Sequence, residues 1–263
     1  MRRIPPDTYD RDYFLSNRCE GADEYHDGRG LSALKARQVA HLAPRPGMRV
    51  LDLGCGRGEV LLACAQRGAR VAGIDYAAAA VQLTRDTLDG VDGAEVVQGD
   101  VSRLPWPDGS FDAVLSGDVV EHLVPEDADA MLREAHRVLR PGGRLVVHTA
   151  PNRLFLTVAW PVLRWPLIAA GHRATVDQLE QWVAASKAYH VNEQSLYGLR
   201  RALGRAGFRR PLVWIDPNIV RDGSHHTTAD VRDSLLIRAG QRLAGLRAVR
   251  VLCGNDLWAV ATR

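Results

Sequence analysis

The chain has 263 residues, 46% apolar and 25% charged, a balance that suits a globular fold with a sizeable core and excludes a disordered or collagen-like chain. Thirty-four basic side chains against 31 acidic ones leave a net charge of +3, too little to argue for a nucleic-acid partner. Cys19, Cys55, Cys64 and Cys253 show neither paired metal spacing nor a disulfide framework, so a reducing, cytoplasmic setting is expected.

In chain order, the basic start Met1-Arg-Arg-Ile-Pro-Pro-Asp has no apolar stretch behind it, so it does not read as a signal peptide. Residues 1–44 are rich in aromatics, with Tyr9, Tyr13, Phe14 and Tyr25, and end in a helical spacing at Leu31, Leu34, Ala36, Val39 and Leu42. Arg49-Val-Leu-Asp-Leu53 then reads as a buried strand. Three alternate glycines follow, Gly54, Gly56 and Gly58, and an amphipathic helix begins at once. A strand, a glycine turn and a helix in that order let a ligand meet bare backbone and a positive helix end. A second strand, 70–74, runs into Asp75, nineteen residues after Gly56, where a carboxylate accepts from both hydroxyls of a ribose.

Further strands are predicted at 94–98, 111–116 and 144–148, with helices near 57–67, 77–89 and 127–139. This alternation implies right-handed crossovers and a parallel sheet covered on both faces. Gly54, Asp75, Asp100 and Asp118 all fall at carboxyl ends of strands, the edge where such sheets bind ligands. The dinucleotide fingerprint G-x-G-x-x-G fails here, because aligning Gly54 and Gly56 puts Glu59 in the third glycine position. Asp52, inside the first strand, would also repel a pyrophosphate. A nicotinamide oxidoreductase on a related fold is thereby disfavoured.

Four stretches stand in order: Leu51-Asp-Leu-Gly-Cys-Gly-Arg-Gly58, Val96-Val-Gln-Gly-Asp100, Ser116-Gly-Asp-Val-Val-Glu-His-Leu123, and Leu139-Arg-Pro-Gly-Gly143. With them, residues 45–150 resemble the class I S-adenosylmethionine-dependent methyltransferases, in particular the small-molecule, type 11-like enzymes. The resemblance implies a doubly wound, mostly parallel seven-stranded α/β sheet (a Rossmann-like methyltransferase fold) with S-adenosylmethionine as cofactor. It implies cofactor contacts from Asp52, Gly54, Cys55, Gly56, Asp75, Tyr76, Asp100, Val101 and Asp118, with Asp100 recognising the adenine amino group. Asp118 to His122 would face the sulfonium and the acceptor. Residues 1–44 would form a cofactor-covering segment, with Tyr13, Tyr25 and Arg29 as covering residues or as an aromatic clamp on the first helix. The Leu139–Gly143 stretch would be a helix end and turn before the fifth strand.

After Pro151-Asn152 the alternation breaks. The mostly apolar run 154–171 has the length of a membrane span, but Pro161, Arg164 and Pro166 argue against one. Residues 151–190 are read as a helical lid insertion over the acceptor pocket, with peripheral membrane contact or a homodimer contact as other uses of its apolar surface. Residues 191–263 complete the same domain: a helix from His190 to Gly207, a sixth strand at 212–215, an elaboration over 217–245, and a final strand from Val249–Leu252 and Leu257–Val260. Twelve arginines and no lysine against six acids make this part basic.

For chemistry, methyl transfer needs the acceptor held in line with the methyl group, and a base only where a proton must leave. His122 and His148 are the candidate bases, with His190 on the acceptor side. Asp222, His225 and His226 are poor ligand geometry, so no metal is expected. The expected function is methylation of a small molecule, at a hydroxyl of a sugar, quinone or secondary metabolite. An N- or C-methyltransferase on a lipid-linked acceptor, or a non-catalytic methyltransferase-like binding protein, are the alternatives.

Overall fold

The computed structural model describes residues 3–16, 18–28, 30–216, 242–243 and 245–263. Seven strands form one sheet: β1 (Arg49–Leu53), β2 (Arg70–Asp75), β3 (Glu95–Gln98), β4 (Phe111–Gly117), β5 (Leu139–Thr149), β6 (Leu212–Ile215) and β7 (Leu257–Thr262). Their spatial order is β3-β2-β1-β4-β5-β7-β6. The first five run parallel, and β7 pairs antiparallel with both β5 and β6. The strand order reverses at β1, where β2 lies on one side and β4 on the other, and this opens a crevice at the carboxyl ends.

Both faces are covered, so β1 is apolar at consecutive positions and sends alternate residues to opposite cores. Leu51 and Leu53 pack with Met131, Leu132, Leu199 and Leu203, while Val50 packs with Leu34, Leu61, Cys64 and Trp258. The helices behind those contacts are α3 (Ala33–Leu42), α4 (Glu59–Ala65), α6 (Pro125–Val138) and α9 (Leu196–Arg205); α5 (Ala78–Thr87) links β2 to β3. Two short helices, α1 (Arg11–Leu15) and α2 (Ala22–His26), precede them, and α1 packs on α5. The insertion is helical, with a π-helical turn at Phe155–Ala159, α7 (Trp160–Ala169) and α8 (Arg173–Ser186). No helix among the described residues is long and apolar enough to cross a membrane.

Three sequence expectations are corrected. The helix expected from His190 begins at Leu196, because Ser195 caps it by accepting from the Gly198 N–H at 3.1 Å. The Leu139–Gly143 stretch is already part of β5, with Leu139 opposite Phe111 and a register break before Ala113. Val249–Leu252 lies in a helix, α10 (Arg247–Cys253), and β7 alone supplies the last strand. Most of the elaboration expected at 217–245, with Asp222, His225 and His226, lies outside the described residues.

Candidate functional site

The turn after β1 holds Gly54, Gly56 and Gly58 at φ of 73°, 55° and 81°, a region that side-chain-bearing residues rarely adopt. At Gly54 the requirement is also steric, since a Cβ would lie 2.5 Å from Val119 Cγ2. The Gly54 and Cys55 amides donate to the Ile74 carbonyl at 2.8 and 3.2 Å, which fastens the turn to β2. Cys55 is buried, and its sulfur accepts from Thr84 Oγ1.

Asp75 ends β2 and accepts from the Gly56 N–H at 3.2 Å and the Ala77 N–H at 3.0 Å. Burial pushes its carboxyl up to about 6. Asp52, also buried, is pushed well above the usual carboxylate range by the same cause, against the pull of Lys35. Both carboxylates line a cavity of about 950 Å³. Gly54, Cys55, Gly56, Tyr76, Asp100, Val101 and Asp118 line it as well, so all nine residues expected at the cofactor end meet in one space. Two buried acids beside an open glycine turn fit a ligand that donates from ribose hydroxyls and carries positive charge. Residues 51–58 with Asp75 and Asp100 therefore have the groups to hold S-adenosylmethionine.

Arg57, inside the turn, is almost wholly buried and organises the wall of this cavity. Its guanidinium donates to the carbonyls of Phe14 at 2.6 Å and Glu20 at 2.5 Å, and to Glu59 at 2.9 and 3.1 Å. Lys35 Nζ reaches the same Glu59 carboxylate at 2.7 Å, and together the two cations hold it below its ordinary range although burial opposes them. The N-terminal segment is thus tied to the glycine turn through one arginine. That segment supplies Tyr9 and Tyr13, which pack edge-to-face 4.8 Å apart and line the cavity, whereas the Tyr76 hydroxyl donates to the Ile4 carbonyl. Tyr25 does not line the cavity: its ring sits 5.0 Å from the Arg57 guanidinium carbon, on the outer side of the tie. Arg29 lies outside the described residues.

At the other end, β4 runs into Asp118, a non-glycine residue at φ 56°. Glu121, His122 and His190 line this part of the cavity. Glu121 is buried; its carboxylate accepts from Thr149 Oγ1 at 2.8 Å and from the Ala150 N–H at 3.4 Å. Burial, and then the neighbouring Asp118 charge, push it up to about 8. His122 Nδ1 lies 3.1 Å from the Tyr189 carbonyl and 2.9 Å from the Tyr9 hydroxyl. The carbonyl accepts only from a protonated Nδ1, whereas the Tyr9 hydroxyl can donate to an unprotonated one, so the two contacts favour different tautomers. Burial, aided by His190, holds His122 down at about 3. A group held that low is neutral at working pH but a weak proton acceptor.

His148 is corrected as a candidate base. It is fully buried and does not line the cavity; its Nδ1 donates to Asp118 Oδ1 at 2.8 Å, and its Nε2 stands 3.9 Å from Asp256. It holds Asp118 from behind. The insertion closes the acceptor end with Phe155, Trp160, Leu163 and Leu167. The sequence reading assigned no role to Arg57 or Asp256; Glu121 fell within the expected Asp118–His122 span, and Tyr9 within the aromatic N-terminal segment, without being singled out.

A mostly parallel sheet with its switch point at β1, a glycine turn there and an acid closing β2 are the features of a nucleoside-binding α/β domain. Residues 51–147 match the family described as "Methyltransferase domain". An uncharacterised methyltransferase of Synechocystis sp. is 37% identical over 128 residues, 48% of this chain and 57% of that protein. The demethylmenaquinone methyltransferase of Clavibacter sepedonicus is 39% identical over 106 residues, 40% of this chain and 42% of that one. A S-adenosylmethionine-dependent methyltransferase structure from Archaeoglobus fulgidus superposes with a TM-score of 0.58 at 21% identity, covering 87% of this chain and 92% of the other, a likeness of fold. The chain covers 37%, 57% and 39% of the length of the first three curated relatives it matches. Residues 51–147 thus match a methyltransferase domain, and the chain is similar over that region to S-adenosylmethionine-dependent methyltransferases.

Proposed function

We propose that the protein transfers the methyl group of S-adenosylmethionine to a small molecule, at a hydroxyl carried on a largely apolar body such as a quinone or a secondary metabolite. The observation that carries this reading is the continuity of one cavity from Asp75 and the glycine turn to Glu121, His122 and the apolar insertion. Bound there, S-adenosylmethionine supplies an electrophilic methyl on a sulfonium. The chain's part is alignment: Tyr9 and Tyr13 exclude water, and Phe155, Trp160 and Leu167 hold the apolar body. Asp118 and His122 receive the polar group. In-line displacement gains most of its rate from such positioning.

A first test is calorimetric titration with S-adenosylhomocysteine and with NAD. Binding of the former and not the latter is expected, and the reverse would overturn the assignment. Labelled methyl transfer to phenols, quinols and sugars then sorts the acceptors. In a folded His122→Gln variant, turnover should fall through lost positioning of the acceptor, with cofactor affinity nearly intact and with no loss of an ascending limb in the histidine range of the pH–rate profile. A lipid-linked acceptor is the second reading. It is supported by Val158, Val162 and Trp165, which are 48%, 67% and 61% exposed on the insertion whose Trp160 and Leu167 line the cavity.

A further inference from the structure

We propose that Glu121, His122 and His190 form a site for one divalent first-row transition-metal ion, facing the acceptor end of the cavity. One donor atom from each of the three residues lies within 4.8 Å of the other two. Metal–nitrogen and metal–oxygen bonds of about 2.1 Å put donor atoms roughly 3.0–3.4 Å apart. The three side chains therefore need only draw inward by an ångström or so. They come from separate places: Glu121 and His122 from the short turn after β4, His190 from the segment between α8 and α9. That segment is pinned where it is needed, since the Val191 and Asn192 amides both donate to the Glu121 carbonyl, at 2.8 and 3.1 Å. The His190 ring meets the His122 ring edge-to-face at 4.9 Å.

The groups behind the donors are arranged as metal ligands require. A ligating imidazole is oriented by giving its other N–H to a carbonyl or carboxylate. In the tautomer whose Nδ1–H donates to the Tyr189 carbonyl, His122 meets this requirement and Nε2 is left for a cation. Glu121 is steadied by Thr149 and the Ala150 amide, and among the described residues no lysine or arginine pairs with it, although Asp118 adds a second acid nearby. A buried carboxylate without a cationic partner is costly, and a metal ion removes that cost. Two imidazoles and one carboxylate select Zn²⁺, Fe²⁺, Co²⁺ or Mn²⁺ over Mg²⁺ or Ca²⁺, which favour all-oxygen sites. All three residues line the cavity, so the remaining coordination positions open towards the acceptor.

The role of the ion rests on the proposed methyltransferase function; the existence of the site does not. A cation there draws charge from the acceptor hydroxyl, which releases its proton to water. The freed oxygen lone pair forms the bond to the methyl carbon as the carbon–sulfur bond breaks, and that bonding pair stays on sulfur. His122, too weak a base to take the proton, then acts by holding the ion.

The test uses the untagged full chain after chelator treatment and dialysis, titrated with Co²⁺ and followed by calorimetry and visible absorption. One ion per chain is expected, with ligand-field bands in the visible. His190→Ala and Glu121→Gln should each weaken binding at least tenfold, while Asp118→Asn stays within tenfold. Thermal melts identify any variant that fails to fold, and the wild-type titration decides the existence of the site by itself. No Co²⁺ binding to the wild type, or undiminished binding in both variants, overturns the proposal. Titration of the same sample with S-adenosylhomocysteine keeps the outcomes apart: cofactor binding without metal binding sinks only the metal site, and the converse sinks only the cofactor reading.

Discussion

The two ends of the cavity are built on different principles. The proposed cofactor end is made, apart from Asp118, of backbone and strand termini within one continuous stretch, residues 51–101, and its acids stand where the sheet's pleat and the glycine turn put them. The acceptor end is assembled from the turn after β4, the N-terminal segment, the insertion and the residues before α9. The first is fixed by local geometry, and the second exists only once distant segments dock. Substitutions at the first end should act on the cofactor alone, and those at the second on the acceptor alone.

The largest effect is expected at Gly54. Gly54→Val places a branched side chain at φ 73° and against Val119, so S-adenosylhomocysteine binding should be lost in calorimetry. Retained binding would show that the turn can move away without consequence and would break the contrast.

Next comes Arg57→Met. Removing the guanidinium leaves the Phe14 and Glu20 carbonyls without that donor while Glu59 keeps Lys35, at a cost of about 1–3 kcal/mol per buried carbonyl left unpaired. Limited proteolysis should then cut within residues 11–26 well before the sheet unfolds. Cleavage no faster than in the wild type would mean the tie is not what holds the segment.

Asp75→Ala should weaken S-adenosylhomocysteine binding by about 1.5–3 kcal/mol, the worth of lost charge-assisted hydrogen bonds. The wild type sharpens this through pH. Asp75 has a raised carboxyl, near 6, so its protonated form is favoured in the free protein, and stability from this group is lost as pH rises through about 6. Ribose hydroxyls favour the ionised form, so cofactor affinity should rise with pH through about 6 and then level off. Calorimetry in buffers of different ionisation heat should record proton release below that pH. A flat profile would remove Asp75 from the ribose site.

The smallest effect belongs to Tyr25→Ala, which removes a partly exposed ring from Arg57. A loss of about 0.5–1 kcal/mol in stability is expected from denaturant unfolding, with the acceptor KM unchanged. A change in acceptor KM would place Tyr25 at the cavity after all.

What could be read from the sequence divides along the same line. β1, its glycines, Asp75, Asp100 and Asp118 follow a fixed order of strand, turn and acid, so their convergence on one edge was legible from spacing. Arg57 was not, although it sits in the same motif: its partners Phe14 and Glu20 offer only backbone carbonyls, which leave no trace in residue type. His148 was misjudged because the end of a strand tells which edge a residue reaches and not which face its ring takes; β7 packs beside it, and its ring lies 4.5 Å from Trp258. The meeting of His190 with Glu121 and His122 spans about seventy residues and depends on two amide hydrogen bonds to one carbonyl, a link that no pattern in the chain announces.

The Arg57 tie has a kinetic consequence. Tyr9 and Tyr13 lie in the segment that Arg57 fastens over the glycine turn, so this wall of the cavity should open only as the guanidinium releases the Phe14 and Glu20 carbonyls. The acceptor side is lined by different residues, Phe155 and Trp160, but Tyr189 at the end of the insertion packs 6.0 Å from Tyr9 and 5.4 Å from Tyr13, so opening one wall disturbs the other.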